Sequence, residues 1–424
     1  MPVTYHAIRT VVLLGIGVVQ VCGLLQGEDW ARFRGPNGAG QSEATSIPAV
    51  WTTEDYKWRV EIPGKGHSSP VVEGGTVFVM SSLQNDATRI VRSLKSIDGS
   101  LLWEVRLSAS TSDLGRSSFY DIASPAVDAK HIYAAWGSPK GYFVVALNRQ
   151  DGREIWRRNL GSFYGDHGFG PSPICFENMV ILANDQSGPS LMFALDHQTG
   201  QTLWTTERRT TKSSYSTPII YRPKTGIAQL ILASTTHGVS SLDPKTGQLN
   251  WELPGLFGRD RVVASPVVGR GLIFAQCGRG GGGTRMIAIR PPNSRGGKRA
   301  QVVYELEGSL PYVPTPITGG KWLFLISDGG VASCIEIDSG RRIWRERIGG
   351  NFFGSPVRVG KRIYVISKEG EIVVVAAEPR YKLLGRMDLE EPSYSTPAIA
   401  DGVMYIRTFS HLMAIGGENP VSTR

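Results

Sequence analysis

The chain is 424 residues long, with 41% hydrophobic and 20% charged residues, a composition that supports a large buried core and excludes a disordered or fibrous protein. Its 51 glycines and 25 prolines imply frequent turns and exclude a mainly helical chain. The net charge of +9 is modest for this length, and outside residues 279–299 the basic residues are scattered. That is the pattern of a solvated surface and not of a nucleic-acid binder, although an anionic envelope polymer is compatible with it.

Taken from the start, Arg9 precedes a run at residues 11–25 in which Gln20 is the clearly polar member. Residues 1–27 therefore read as a secretory signal peptide. The run is short for a membrane span, and no later stretch approaches eighteen continuous apolar residues, so the exported chain is expected to be periplasmic or secreted with no membrane span. Val19, Gln20 and Val21 ahead of Cys22 lack the small residue of a lipoprotein signal. Cys175, Cys277 and Cys334 sit in or beside apolar strand-like stretches and read as buried small hydrophobes, without a disulfide framework.

Residues 28–50 are rich in glycine and turn formers (Phe33, Arg34, Gly35, Pro36, Asn37, Gly38) and predict an extended arm lying across a face of the domain at residues 51–415. Trp30 and Trp51 read as exposed, available to a partner. Residues 416–424 form a short polar tail.

Between them, eight segments share a small or apolar residue, then Ser or Thr, then Pro, then an apolar strand. The prolines are Pro70, Pro125, Pro173, Pro218, Pro266, Pro316, Pro356 and Pro397, about 47 residues apart, the period of a propeller blade. Each repeat predicts four short strands, so the fold is all-β: an eight-bladed β-propeller of four-stranded antiparallel blades. A second marker, Gly-x-x-x-Trp, recurs at Gly99/Trp103, Gly152/Trp156, Gly200/Trp204, Gly247/Trp251 and Gly340/Trp344. The glycine suits a tight turn, and the indole is expected to wedge between neighbouring blades. The eighth repeat stops three strands in, and residues 56–61, carrying Trp58, predict the missing outer strand that closes the ring.

Residues 194–204 and 241–251, with Leu-Asp-x-x-Thr-Gly-x-x-x-Trp in common, resemble the tryptophan-docking repeat of pyrroloquinoline-quinone (PQQ)-like eight-bladed propellers. The stretch Trp30 through Gly38 is similar to the N-terminus of exported bacterial members. The resemblance implies two kinds of function. Dehydrogenases of the family hold the quinone with calcium or a lanthanide at the ring's centre and usually carry adjacent cysteines, which this chain lacks. Other members, including an outer-membrane assembly lipoprotein, keep the ring and bind polypeptides.

The hydroxyls preceding the eight prolines recur in every repeat, so they read as structural groups satisfying a nearby backbone atom, not as nucleophiles. Single side chains converging on the axial mouth are the ligand-binding candidates: His67, Asp121, His167, Tyr215, Arg261, Tyr312, Phe353 and Tyr394. This rim reads as aromatic and poor in charge. No catalytic residue and no metal ligand is assigned. The expected function is a non-catalytic binding or assembly scaffold of the bacterial cell envelope, with an envelope protein or polypeptide as partner and no cofactor. One alternative is a PQQ- and calcium-dependent alcohol or sugar dehydrogenase, its quinone near Tyr215, Tyr312 and Tyr394; another is a polysaccharide-binding module using the aromatic rim.

Overall fold

Each Ser/Thr-Pro step opens a short inner strand, because proline needs no ladder donor at a strand's first position. In the computed structural model, which describes Met1 and residues 29–83, 88–108, 123–138, 141–165, 167–280, 282–292 and 299–416, these inner strands begin eight four-stranded antiparallel blades. They are Val71–Glu73, Ala126–Val127, Ile174–Phe176, Ile219–Tyr221, Val267–Gly269, Ile317–Gly319, Val357–Val359 and Ala398–Ala400, in blades one to eight. The second strands, such as Met179–Asn184 and Gln229–Ser234, are buried at every position. Neighbouring blades cover both of their faces, which is why these stretches read as continuous apolar runs and do not alternate. The expected signal segment beyond Met1, all but the first residue of the polar tail, and Asp121 lie outside the described residues.

Blade eight is completed by Tyr56–Glu61, which pairs antiparallel with His411–Gly416, Trp58 opposite Ala414. The ring thus closes through backbone bonds between the first and last strands of the propeller, and His411–Gly416 is paired on both sides.

Gly-x-x-x-Trp works across blades. The Trp103, Trp156 and Trp204 indoles donate to the carbonyls of Arg149, His197 and Pro244 in the next blade's outer turn, and Trp58 and Trp344 donate to Ser96 and Glu378 in the same way. A Cβ on Gly200, where φ is +69°, would stand 2.7 Å from the Trp156 ring. The glycine is therefore required twice, for the turn and for the neighbour's indole. In blade five Tyr304 replaces the indole and its hydroxyl donates to Ile337 O at 2.5 Å. Trp251 differs, donating to Gln229 of its own blade. All eight outer strands share a register shift beside this position, which twists the strand locally; in blade seven the position is held by Gly385 and not by an aromatic ring.

Around the axis the eight hydroxyls form a closed circuit. Ser69 N–H donates to Ser124 Oγ, Ser124 to Ser172, Ser172 to Thr217, Thr217 to Ser265, Ser265 to Thr315, Thr315 to Ser355, Ser355 to Thr396, and Thr396 back to Ser69, all at 2.9–3.1 Å. Each hydroxyl thus serves the preceding blade and not its own turn, a correction to the local role expected of it.

Beneath this circuit runs the arm. Trp30 bridges Val72 of blade one, Ala31 O accepts from Val127 N of blade two, and Arg32 donates to Pro218 O of blade four. Gln41–Ser42 adds a parallel fifth strand to blade seven. Trp30 and Trp51 are 1% and 6% exposed, so the expectation that they are free for a partner is overturned: Trp30 packs on Gly35, whose φ of +64° allows the approach, and both indoles join the core of blades seven, eight and one. At the centre of the arm Arg34 is fully buried. Its guanidinium donates to the carbonyls of Gly38, Thr315, Pro316, Pro356 and Ala39, at 2.7–3.4 Å.

Candidate functional site

The loops that carry each outer strand to the next blade's inner strand meet at the mouth above the hydroxyl circuit. There His67, His167, Tyr215, Arg261, Tyr312, Phe353 and Tyr394 all line one cavity of about 1510 Å³. Seven of the eight residues expected at the mouth are thus brought together from seven different loops; the eighth, Asp121, lies outside the described residues. Phe33 of the arm and seven of the circuit residues also line the cavity, which places the arm at its floor.

One wall is aromatic. Tyr394 has its ring centroid 4.5 Å from His67, 5.2 Å from Phe353 and 5.2 Å from Phe409, within the range of favourable ring contacts. The Lys368 ammonium lies 4.4 Å from the Phe353 centroid and 5.5 Å from that of Tyr394, a cation–π arrangement.

The opposite wall is basic. Arg259, Arg261, Arg279 and Arg285 line it, from the loop before blade five and from the hairpin between Leu272–Arg279 and Gly282–Arg290. The expectation of a charge-poor mouth fails on this side because the hairpin folds inward: Arg261 and Gly278 exchange two backbone hydrogen bonds at 3.0 Å, and Arg279 Nε binds Asp260 at 2.6 Å. Tyr312 packs over Gly278, its N–H donating to Asp328 at 2.6 Å. Between the walls, His167 N–H donates to the Tyr215 hydroxyl at 3.0 Å.

A quinone held by a calcium ion needs oxygen donors that converge on the ion. Three carboxylates line the cavity, and two of them are already engaged. Asp260 holds Arg279, and Asp328, pushed up by burial, accepts the N–H groups of Tyr312 and Val313. The third, Glu307, is exposed at the rim. The described residues of the mouth do not fit that ion-and-quinone pair.

His67 is pulled down to about 3 by burial and then by the positive field of Arg407, a guanidinium fully buried at the seam of blades eight and one. Its imidazole is therefore neutral throughout the physiological range. An unfolded histidine titrates near 6.5, so between pH 6.5 and about 3 the unfolded chain binds the extra proton and stability falls as pH falls. His67→Phe is expected to remove that part of the acid slope, read as the change in urea midpoint between pH 7 and pH 4.

Similarity to known proteins spans the ring. A family model described as outer membrane protein assembly factor BamB matches residues 49–165, 87–301, 296–381 and 328–418. BamB of Shewanella oneidensis is 21% identical over 336 residues, 75% of this chain and 80% of that protein. Among solved structures, BamB from Moraxella catarrhalis superposes with a TM-score of 0.62 at 14% identity over 89% of this chain and 98% of that one. Quinohemoprotein alcohol dehydrogenase from Comamonas testosteroni superposes at 0.50 and 12%, over 94% of this chain and 82% of its own. At such identities the two structures share the fold alone.

Proposed function

This chain belongs to the BamB-like family of PQQ-type repeat propellers, and from that premise we propose that it is a non-catalytic assembly scaffold of the bacterial cell envelope. In this reading it acts in the periplasm after removal of residues 1–27 and seats a polypeptide segment of an envelope partner in the axial mouth. The observation that carries the reading is the two-walled cavity: an aromatic wall for apolar side chains, an arginine wall for carboxylates, and Phe33 of the arm between them. Rigid blades presenting variable loops suit a binding role.

The chemistry of the walls favours a peptide over a sugar or a quinone. Phe353 and Tyr394 pack edge to face at 72° with Lys368 over both rings, which leaves pockets for side chains and not a flat platform for a pyranose.

A photo-crosslinking residue placed at Phe353 or Tyr394 in cells is expected to capture a component of the outer-membrane assembly machinery, whereas one at Leu203, exposed on an outer strand, is not. Arg259→Glu is expected to weaken that capture about tenfold by reversing a charge on the basic wall. Turnover of alcohols or sugars by the protein supplied with PQQ and calcium in a dye-linked assay would overturn the reading, as would capture at Leu203 alone.

A further inference from the structure

Far from the mouth, the junction of blades two and three gathers three metal-ligating side chains: Asp128, in the turn after the inner strand of blade two; His131, the first residue of the next strand; and His197, in an outer turn of blade three. Each offers one ligand atom, and these atoms all lie within 4.8 Å of one another. Asp128 Oδ2 is 3.1 Å from His197 Nδ1, and Asp128 Oδ1 is 3.7 Å from His131 Nδ1. Bonds of about 2.0–2.2 Å to zinc separate tetrahedral ligands by roughly 3.3 Å, so small rotations of two rings suffice to seat an ion. Two imidazoles and one carboxylate are the donor set of zinc and its divalent neighbours, not of calcium or magnesium.

The frame around the three is rigid and supplies the outer shell that metal ligands require. The Tyr133 hydroxyl donates to Asp128 Oδ2 at 2.7 Å, while Lys130 N–H and His131 N–H both donate to Asp128 Oδ1 at 2.8 Å. The carbonyl of His197 accepts the Trp156 indole at 3.1 Å, and its N–H donates to Asn178 O at 3.0 Å. The docked tryptophan that joins the two blades thus also fixes the third ligand. The nearby guanidinium of Arg149 faces Glu73 at 3.7 Å, which offsets its charge. Asp128 and His197 keep 22% and 23% of their side-chain surface in solvent, an entry path and an open side.

We propose that Asp128, His131 and His197 form a three-ligand site for Zn²⁺ or a related divalent transition ion, with water in the fourth position, clasping blade two to blade three. The test uses the untagged full chain freed of metal with a chelator, titrated with Zn²⁺ by calorimetry and with Co²⁺ by its visible d–d absorption. One ion per chain is expected, with a Kd on the order of micromolar, the intense absorption of a four-coordinate Co²⁺ site, and a Zn²⁺-dependent rise in melting temperature. His197→Ala is expected to weaken binding at least a hundredfold and abolish that rise, since the loop is held by its own backbone. Asp128→Asn keeps the shape of the turn and is expected to weaken binding at least tenfold, and Tyr133→Phe about tenfold through the outer shell. His237→Ala, at a histidine that meets Glu252 in blade four, is expected to change nothing. Binding only at millimolar concentration, or stoichiometric binding that survives His197→Ala and Asp128→Asn in folded protein, overturns the site.

Discussion

Arg34→Ala is expected to cost about 3–5 kcal/mol, the loss that follows when one partner leaves a buried, charged hydrogen-bond network. Among the described residues the guanidinium has no carboxylate against it; its partners are five carbonyls, two from the arm itself and three from blades six and seven. Burial draws its pKa down to about 9, so it remains a cation at neutral pH, stabilised by backbone dipoles converging from different blades. Deleting it leaves those carbonyls facing a void. Arg34→Lys is expected to recover only part of the loss, because an ammonium cannot spread its donors over the same fan of acceptors. Urea unfolding with an unchanged m-value measures the cost, and proteolysis of residues 29–50 reports whether the arm has left the axis. A loss below about 1 kcal/mol would mean that the arm is a passenger and not a tie.

The second large effect belongs to the tryptophan anchors, which should differ by a predictable amount. Trp204 is 8% exposed, donates to Pro244 O at 3.1 Å and lies in an apolar cluster shared by blades three and four. Truncating such an indole to alanine costs about 3–5 kcal/mol through lost burial and a cavity. Trp344 makes the equivalent bond to Glu378 O at 3.0 Å but is only partly buried, with Tyr381 edge-on at 5.4 Å. Trp344→Ala should cost roughly half as much, since less apolar area returns to water. Equal losses at the two positions would show that the hydrogen bond, common to both, outweighs the packing.

The features legible in the sequence are those whose signature sits within a few residues. Pro70 to Pro397 set the period, Gly200 and Trp204 fall in one short motif, and residues 56–61 resemble other outer strands closely enough to be placed in blade eight. What stayed hidden depends on groups with no local signature. Arg34 binds main-chain oxygens, which any residue carries. The partner of Ser69 Oγ is the N–H of Thr396, which comes within reach only when the ring has closed. Tyr304 takes the place of a tryptophan because burial plus one donor is what the seam requires, and a motif search tuned to indole passes over it. Seven of the mouth residues converge because the loops between blades must meet there, whereas the arginine wall depends on the inward course of one hairpin. Asp128 and His131 are visible as neighbours, but their approach to His197 is a product of blade adjacency.

The arm in the axis has a consequence for how the protein comes into being. The partners of Arg34 in blades six and seven lie up to 322 residues downstream, and the Thr396–Ser69 link that completes the hydroxyl circuit spans 327. At about 5–20 residues per second of synthesis, the arm emerges first and waits roughly 15–65 s for its seat to exist. Contacts this distant add little until the intervening chain is ordered, and the entropy of closing so long a loop falls on the final step. Assembly therefore proceeds along the chain while the Arg34 segment waits for blades six and seven to supply its carbonyls, and only blade eight, the last made, closes the hydroxyl circuit back onto the first blade.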